Sequence, residues 1–406
     1  MTKRGIEYLR RKLEEKRRRV LLRYEYYDMK NVVTGFHFKS DELANVRSVL
    51  GWCGKAVDSL ADRLSFREFR DDNFDLDGIF NMNSRDILFD SAISAALIGS
   101  CAFVYISKSP EGFPRLQVID AANATGELDP ITHMLTEGYA VLSRSPGGTP
   151  LLEAYFIPGA TIYHDLQKRR QWVIKNPAPY PLLVPIIYRP DAVRAFGHSR
   201  ISRACMSIQQ SALRTIKRSE VSAEFYSFPQ KYVLGLDSDA EFDNRKAAMS
   251  DFLNFGRGED GETPKVGQFT QQSMSPFTEQ LRSQAALFTG ETGLTLDDLG
   301  FVTDNPSSSE AIKASHESLR LAARKAQKNF GTGFLNAGYL AACVRDQFAY
   351  KREQLYLTTP IWEPVFEPDA ATLSSIGDGA IKINQAVPGY FTEENLHDLT
   401  GITSGN

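Results

Sequence analysis

This 406-residue sequence has few of the residues on which disulfides, metal sites and membrane spans depend. It contains 4 cysteines and 6 histidines. The cysteines lie far apart without C-x-x-C spacing, which argues against a disulfide framework and against a zinc ribbon. No apolar run reaches the roughly 20 residues that cross a bilayer, and the N-terminal stretch is too highly charged for a signal peptide. We therefore expect reduced core cysteines and no membrane partner.

The sequence also lacks the short motifs that carry common catalytic chemistry. It has no GxxxxGK[ST] phosphate loop, no HExxH, no GxSxG elbow and no GxGxxG after a predicted strand. His198 and His316 are interpreted as surface or capping residues. Asp297 and Asp298 are interpreted as a loop or cap, with a metal pair as the alternative. We expect no enzyme activity, no cofactor and no bound metal.

One acidic segment resembles the start of a calcium loop. The run from Asn73 to Gly78 has the spacing of oxygen ligands and the glycine, but Ser84 stands where a bidentate glutamate belongs. The simpler interpretation is an acidic turn that caps the next helix. The alternative use of this segment is a metal-dependent DNA-processing enzyme, such as a nuclease, built on Asp72, Asp75 and Asp77.

The charge balance argues against a tight, sequence-independent nucleic-acid binder. There are 47 Lys plus Arg against 50 Asp plus Glu, a net charge of −3, whereas such binders are usually basic overall. Local basic bands stay possible. Arg17 to Arg19, on a helix predicted from about Gly5 to Tyr27, either contact nucleic acid or form a solvated helix face.

The helix predicted from about Arg200 to Phe228 organises the chain. At roughly 100° per residue its apolar residues fall in one narrow stripe: Ile201, Cys205, Ile208, Ala212, Ile216 and Ala223. Polar and cationic residues fall opposite: Arg203, Ser207, Gln210, Arg214, Lys217 and Arg218. A thin seam suits packing against one neighbouring helix. The pattern predicts one helix in a ring of helices contributed by many subunits, with the basic faces turned towards an enclosed anion.

The remaining pattern predicts an α+β fold. Further helices are expected at Asp41 to Leu64, Asn83 to Gly99 and Ser275 to Gly293. A helix capped by Ser307 and Glu310 is expected to run to at least Phe330, with Gly331 and Gly333 bending it. Short strands separated by turns predict a mostly antiparallel sheet: 103–106, 116–119, 139–142, 152–156, 161–163 and 172–174. An extended Pro177 to Pro185 connector, a strand at Lys231 to Gly235 and two tail helices at 371–386 and 392–399 complete the prediction.

Two blocks of sequence resemble a known family. They are Tyr188 to Gly235 and Ser273 to Leu321, most specifically HSRIS…AEFYSFPQ and DNPSSSEAI. Both blocks resemble the portal proteins of long-tailed double-stranded-DNA phages, the head–tail connector portal family. The resemblance implies a dodecameric ring at one capsid vertex. Each portal-type subunit would have an α/β wing, a two-helix stem, a small α/β clip, a long helix behind a tunnel loop and a short helical crown.

The resemblance also implies a division of this chain. Residues 1–195 correspond to the wing, with the N-terminal helices and the mostly antiparallel sheet, and 196–229 to the first stem helix. The clip would be 230–272, the second stem helix 273–293 and the tunnel loop 294–309. Residues 310–366 would form the long helix and the return to the wing, and 367–406 the crown or C-terminal helices.

The resemblance likewise implies where functional residues lie. The candidates for the DNA-channel surface are Arg203, Arg214, Lys217, Arg218, Thr303, Asp304 and Asn305. The candidates for contact between the clip and partner proteins are Lys231, Tyr232, Arg245, Lys246, Arg257 and Lys265. The alternative for the stem cations is that they bridge to carboxylates on neighbouring subunits.

The implied function is a non-enzymatic channel through which double-stranded DNA is packaged and ejected without sequence specificity. The implied partners are further copies of the chain, the terminase large subunit, the head–tail adaptor, and the major capsid and scaffolding proteins. The implied location is the virion vertex, with the host cytoplasm during assembly. Two alternatives stay open: the metal-dependent DNA-processing enzyme, and an oligomeric scaffold protein with no DNA role.

Overall fold

The computed structural model describes residues 4–33, 48–227, 231–234, 265–268, 273–301, 314–366, 368 and 370–402. Several sequence predictions concern residues outside these described ranges: the Asp41 helix start, the Ser307–Glu310 capping box, the tunnel residues Thr303, Asp304 and Asn305, and the clip residues Arg245, Lys246 and Arg257. The chain divides into two compact units. The larger comprises 1–31, 51–206 and 291–406, and the smaller comprises 32–50 and 207–290.

The strands confirm a mixed fold with antiparallel pairing. In chain order they are β1 Phe66–Arg70, β2 Cys101–Lys108, β3 Pro114–Asp120, β4 Ala124–Leu128, β5 Leu135–Arg144, β6 Pro150–Ile157, β7 Ala160–Asp165, β8 Arg170–Lys175, β9 Leu183–Ile187, β10 Lys231–Leu234, β11 Lys265–Gln268 and β12 Thr359–Trp362. Within the described residues the sheets have the orders β4-β5-β6-β7-β8, β3-β2-β9, β1-β12 and β10-β11. All six strands predicted between 103 and 174 are confirmed, each extended at its ends.

The described residues form nine α-helices and two short 3-10 turns. They are α1 Ile6–Tyr27, α2 Trp52–Ala61, α3 Leu76–Asn81, α4 Arg85–Gly99, α5 Arg203–Ser227, α6 Ser275–Thr292, α7 Glu317–Asp346, α8 Ala370–Ala386 and α9 Glu393–Thr400, with 3-10 turns at Asp297–Leu299 and Arg352–Leu355. None of the described helices combines the length and the apolarity that crossing a bilayer requires.

The core of the larger unit is aromatic. The rings of Phe89 and Phe334 stack at 3.9 Å, and Phe66 stacks on Phe89 at 4.3 Å. α7 continues without a break through Gly331 and Gly333. The structure gives these glycines a packing role, because a Cβ at Gly331 would lie 2.6 Å from Pro360 Cγ. The two glycines therefore let α7 approach its neighbours closely.

Two predicted elements need correcting. The Pro177 to Pro185 connector contains strand β9, in which Pro185 lies opposite Phe103 of β2. Among the described strands β9 pairs with β2 alone, and an edge position tolerates a proline because the missing N–H is not needed by a second neighbour. The helix expected to cover 41–64 begins, in the described part, only at Trp52. Val49, an apolar residue of the predicted helix, lies before Trp52 and is 67% exposed.

Helix α1 is held on the five-stranded sheet by apolar contacts and by carboxylates. Leu9 and Leu13 are buried against β5. The buried Glu137 carboxylate accepts the N–H groups of Arg4 and Gly5 at 2.9 and 3.1 Å, where the helix begins. The Glu153 carboxylate, 3% exposed, pairs with the Arg10 guanidinium at 2.5 Å. The Glu137 carboxylate stabilises the helix start, where N–H groups lack helical acceptors and the dipole favours a negative charge, whereas Glu153 anchors the Arg10 side chain to the sheet.

The acidic segment before α3 is a capping turn. The Asp72 carboxylate accepts the backbone N–H of Asp77, in the first turn of α3, at 3.1 Å. The Asp77 carboxylate in turn accepts the N–H of Phe69 at 2.9 Å. Burial raises the pKa of the Asp77 carboxyl. Within the described ranges, no group of three or more His, Cys, Asp or Glu side chains is arranged to hold a metal ion.

Candidate nucleic-acid interface

The candidate interface begins where α5 leaves a capped turn. Ser202 is the N-cap, since its Oγ accepts the N–H of Cys205 at 3.1 Å and satisfies one of the open donors of the first turn. Arg200 therefore lies before the helix and not inside it. Its side chain is 8% exposed. The guanidinium donates to the carbonyl of Ala56 through Nε at 3.2 Å and to that of Thr292 through Nη2 at 2.5 Å.

The predicted channel cations differ in exposure. Arg203 and Arg218 are exposed, whereas Arg214 and Lys217 are half-buried. Arg214 Nη2 donates to Ser211 Oγ one turn earlier, at 2.8 Å. A solvated polyanion can therefore reach the exposed Arg203 and Arg218 more readily than the half-buried pair.

The cationic face is narrower than the sequence predicted. Gln210, expected on the free face, is buried and donates its amide to the carbonyl of Val32 at 2.9 Å. The segment around Val32 therefore covers part of the face that the periodicity assigned to solvent.

The packing seam also differs from the predicted apolar stripe. Ile201, Cys205 and Ala212 are buried as predicted, but Ile208 and Ile216 are only half-buried, and Ala223 is exposed. Polar side chains take part in the contact with α6. Thr215 Oγ1 lies 3.2 Å from Gln280 Oε1 and accepts from Gln284 Nε2 at 3.1 Å. Helices α5 and α6 thus meet through a partly buried polar contact.

The remaining predicted residues lie on a two-stranded ribbon. β10 and β11 pair antiparallel, with Lys231 opposite Gln268 and Leu234 opposite Lys265. Tyr232 is 41% exposed, and Lys265 is exposed. The Tyr232 ring lies across the opposing strand, 2.4 Å from where a Cβ at Gly267 would be, so a larger residue at that position would displace the ring.

The described part of the interface offers cations and hydroxyls. The exposed arginines can contact phosphate oxygens, which positions a duplex without reading its sequence. The Asp298 carboxylate is engaged in its own turn, accepting the N–H and Oγ1 of Thr295 at 2.8 and 2.9 Å, as the cap interpretation predicted. Sequence reasoning missed the burial of Arg200, just before the helix, and of Gln209 and Thr215 within it. Polar residues in or beside a basic helix look like surface residues.

Comparison with known proteins adds relatives to this geometry. No protein-family model matches the chain. A portal protein of Mycobacterium phage L5 is 24% identical over 366 residues, covering 84% of this chain and 74% of that protein. This chain is a sequence relative of phage portal proteins. A portal protein of Mycobacterium phage D29 is 23% identical over 386 residues, covering 89% of this chain and 78% of its own length. The resemblance drawn from two blocks is confirmed and extends over most of the chain.

Solved structures of gene transfer agent particles are also similar. A chain from the virion of a native particle has a TM-score of 0.46 at 12% identity, with 87% of this chain and 90% of that chain covered. A chain from the neck of an empty particle, computed with C6 symmetry, has a TM-score of 0.45 at 13% identity over the same shares.

Proposed function

We propose that this chain is the portal subunit of a tailed double-stranded-DNA phage. Copies of it form a ring at one capsid vertex, twelve in number as in the family it resembles, and the ring is the channel for packaging and ejecting DNA. The observation that carries the proposal is the similarity to a curated portal protein over 84% of the chain. The protein then belongs to the virion and passes through the host cytoplasm during assembly.

The geometry of α5 supports this proposal. A DNA conduit has to neutralise phosphates without gripping them, because each fixed contact adds affinity and salt dependence. Arg203 and Arg218 are exposed on α5, and a ring repeats each of them once per subunit. A few exposed cations per subunit therefore suffice for a basic band. Half-exposed Ile208 and Ile216 in the single chain are suited to contact with a neighbouring copy.

The first test is assembly. Purified protein in negative stain should show rings with a central hole, and mass photometry should give a multiple of the 45.4 kDa subunit. Compact monomers at high concentration would contradict the ring and the scaffold alternative alike.

The second test addresses the channel surface. Arg214→Glu with Arg218→Glu should leave rings intact but impair DNA packaging in an assembly extract, because a repeated ring of glutamates repels phosphates. The matched control is Lys168→Glu with Arg170→Glu, which reverses two exposed cations near the β7–β8 turn and should package normally. If the stem variant fails to form rings, these residues are interface groups and the lumen assignment is wrong.

The absence of an enzyme activity is part of the proposal. Asp72 accepts the backbone N–H of Asp77 in its own turn, and Asp77 accepts that of Phe69 in β1, which supports a structural role. Incubation of the protein with plasmid DNA and Mg²⁺ or Mn²⁺ should leave the DNA intact. Cleavage that Asp77→Asn abolishes would establish the DNA-processing alternative instead.

Docking of partner proteins belongs to the β10–β11 ribbon. We assign contact with the terminase large subunit and the head–tail adaptor to the clip, of which exposed Tyr232 and Lys265 are the described candidates. Major capsid and scaffolding proteins would contact the rest of the ring. Tyr232→Ala should weaken co-purification with terminase while ring formation persists, and unchanged co-purification would remove Tyr232 from the contact.

A further inference from the structure

A second concentration of positive charge lies on α1. Lys12, Lys16, Arg19 and Arg23 occupy positions i, i+4, i+7 and i+11, so their side chains share one face of the helix. We call these four residues the α1 cation stripe. Arg19 is exposed and the other three are half-buried. At 1.5 Å per residue the stripe is about 16 Å long.

The stripe is built into the fold by its neighbours. The ring of Phe196 lies 5.3 Å from Nζ of Lys12 and 5.3 Å from Nζ of Lys16, a distance at which a ring face attracts a cation. Arg23 donates through Nη1 to the carbonyl of Gly99 at 3.1 Å. These contacts hold the ammonium and guanidinium groups in place along one edge of the helix.

The positive charge of the stripe is poorly compensated within the chain. Lys12 pairs with Glu127. For Lys16, Arg19 and Arg23, no carboxylate of the described residues lies within ion-pairing distance. Burial and the nearby Lys12 lower the pKa of Lys16, while burial, Arg19 and Arg194 lower that of Arg23. Like charges are therefore held together at an energetic cost that a bound anion would relieve.

We propose that the α1 cation stripe binds the phosphate backbone of nucleic acid, as a surface separate from the α5 cations. A duplex carries one phosphate per roughly 3.4 Å along each strand, so several phosphates face a stripe of this length whatever the register. An acidic peptide would have to match its carboxylates to the cation spacing. The inference does not require the chain to form a ring, since α1 and its neighbours belong to the larger unit alone.

The test uses the full chain and a fluorescent 20-base-pair duplex, with anisotropy measured across salt concentrations. Lys16→Gln with Arg19→Gln removes two phosphate contacts. The slope of log affinity against log salt should fall by about 1.8, and each lost contact should cost up to about eightfold at 0.1 M salt. We therefore expect a loss approaching 60-fold for the pair.

The matched control removes the same charge from the same helix. Arg11 and Arg18 are exposed on other faces of α1, and Arg11→Gln with Arg18→Gln should change the slope by much less. Lys16→Arg with Arg19→Lys keeps the charge and should keep the binding. Circular dichroism and ring formation are measured on every variant. The titration is repeated with the Arg214→Glu and Arg218→Glu variant, so that a failure of the stripe proposal can be distinguished from a failure of the channel proposal.

Three outcomes would overturn the assignment. Unchanged duplex binding in the Lys16 and Arg19 variant would remove the stripe from nucleic-acid contact. Equal losses in variant and control would mean that only net charge matters. Stronger competition from polyglutamate than from unlabelled duplex at equal charge would identify an acidic polypeptide as the ligand.

Discussion

Arg200 is a buried cation that contacts carbonyl oxygens of two other elements, and its removal should destabilise the larger unit. Arg200→Met keeps the approximate volume of the side chain but removes the donors to Ala56 and Thr292. Thr292 is the last residue of α6, where carbonyls have no helical partner and the helix dipole favours a cation. By contrast, Ala56 lies inside α2, where its carbonyl accepts a helical N–H in addition to the Arg200 guanidinium.

The expected loss of stability follows from the difference between the two acceptor carbonyls. A hydrogen bond that involves a charged group contributes about 1.5–3 kcal/mol, and a neutral one about 1 kcal/mol. The guanidinium donates both bonds. We assign the value of a charged bond to that with Thr292, at 2.5 Å, and only about 1 kcal/mol to that with Ala56, because it is longer, at 3.2 Å, and its acceptor keeps a helical donor. Arg200→Met should therefore lower the free energy of unfolding by about 2.5–4 kcal/mol. Arg200→Lys should lie in between, because an ammonium lacks the fork that reaches both carbonyls.

The assay is urea unfolding followed by tryptophan fluorescence, on subunits at equal concentration. Arg203→Met is the control, since Arg203 is exposed three residues away and its loss should change stability by less than about 0.5 kcal/mol. An Arg200→Met midpoint equal to that of the control would refute the reasoning. Equal stability of the Lys and Arg proteins would show that the point charge matters and the fork does not.

Two further predictions concern packing and pH. Gly331→Ala should destabilise the protein by about 1–3 kcal/mol, because its Cβ would lie 2.6 Å from Pro360 Cγ. Gly377→Ala, where a Cβ would have no atom within 4 Å, should stabilise α8 by up to about 1 kcal/mol. Changes in melting temperature that have the same sign in both variants would contradict this prediction. Bonds from His198 and from the N–H groups of Arg194 and Val193 lower the pKa of Asp191 to about 2. The stabilisation of this turn should therefore be complete above the ordinary aspartate value and be lost as pH falls through about 2, and a carboxyl NMR titration near 4 would contradict it.

The sequence predicted the periodic elements best. Strands with alternating or β-branched residues, such as Phe103 to Ile106, and the helix predicted from Ser275 to Gly293 were correct in type and close in position. Strand β9 was missed because prolines outweighed its apolar residues, and a single sequence does not show that Pro185 lies on a sheet edge. The start of α2 was misplaced because apolar periodicity continued across Gly51, which precedes the helix.

The candidate site could be predicted only in part. The position of α5 and its basic character followed from periodicity, and so did the exposure of Arg203 and Arg218. The burial of Gln210 depends on a segment more than 170 residues away, since its partner is Val32. The carboxylates Glu137 and Glu153 likewise look like surface residues until α1 supplies their donors. Such pairings arise from tertiary contacts, which local pattern does not encode.

The buried thiols have a practical consequence for experiments on this protein. All 4 cysteines are buried, and burial raises the pKa of Cys101 to about 12 and that of Cys343 to about 11. Because the thiolate is the reactive form, maleimide reagents at neutral pH should leave the folded chain almost unlabelled. A cysteine introduced at exposed Arg203 would then be the one reactive handle per subunit. Fluorophores or cross-linkers attached there could test the proposed ring and its proposed contact with DNA without first deleting any native residue.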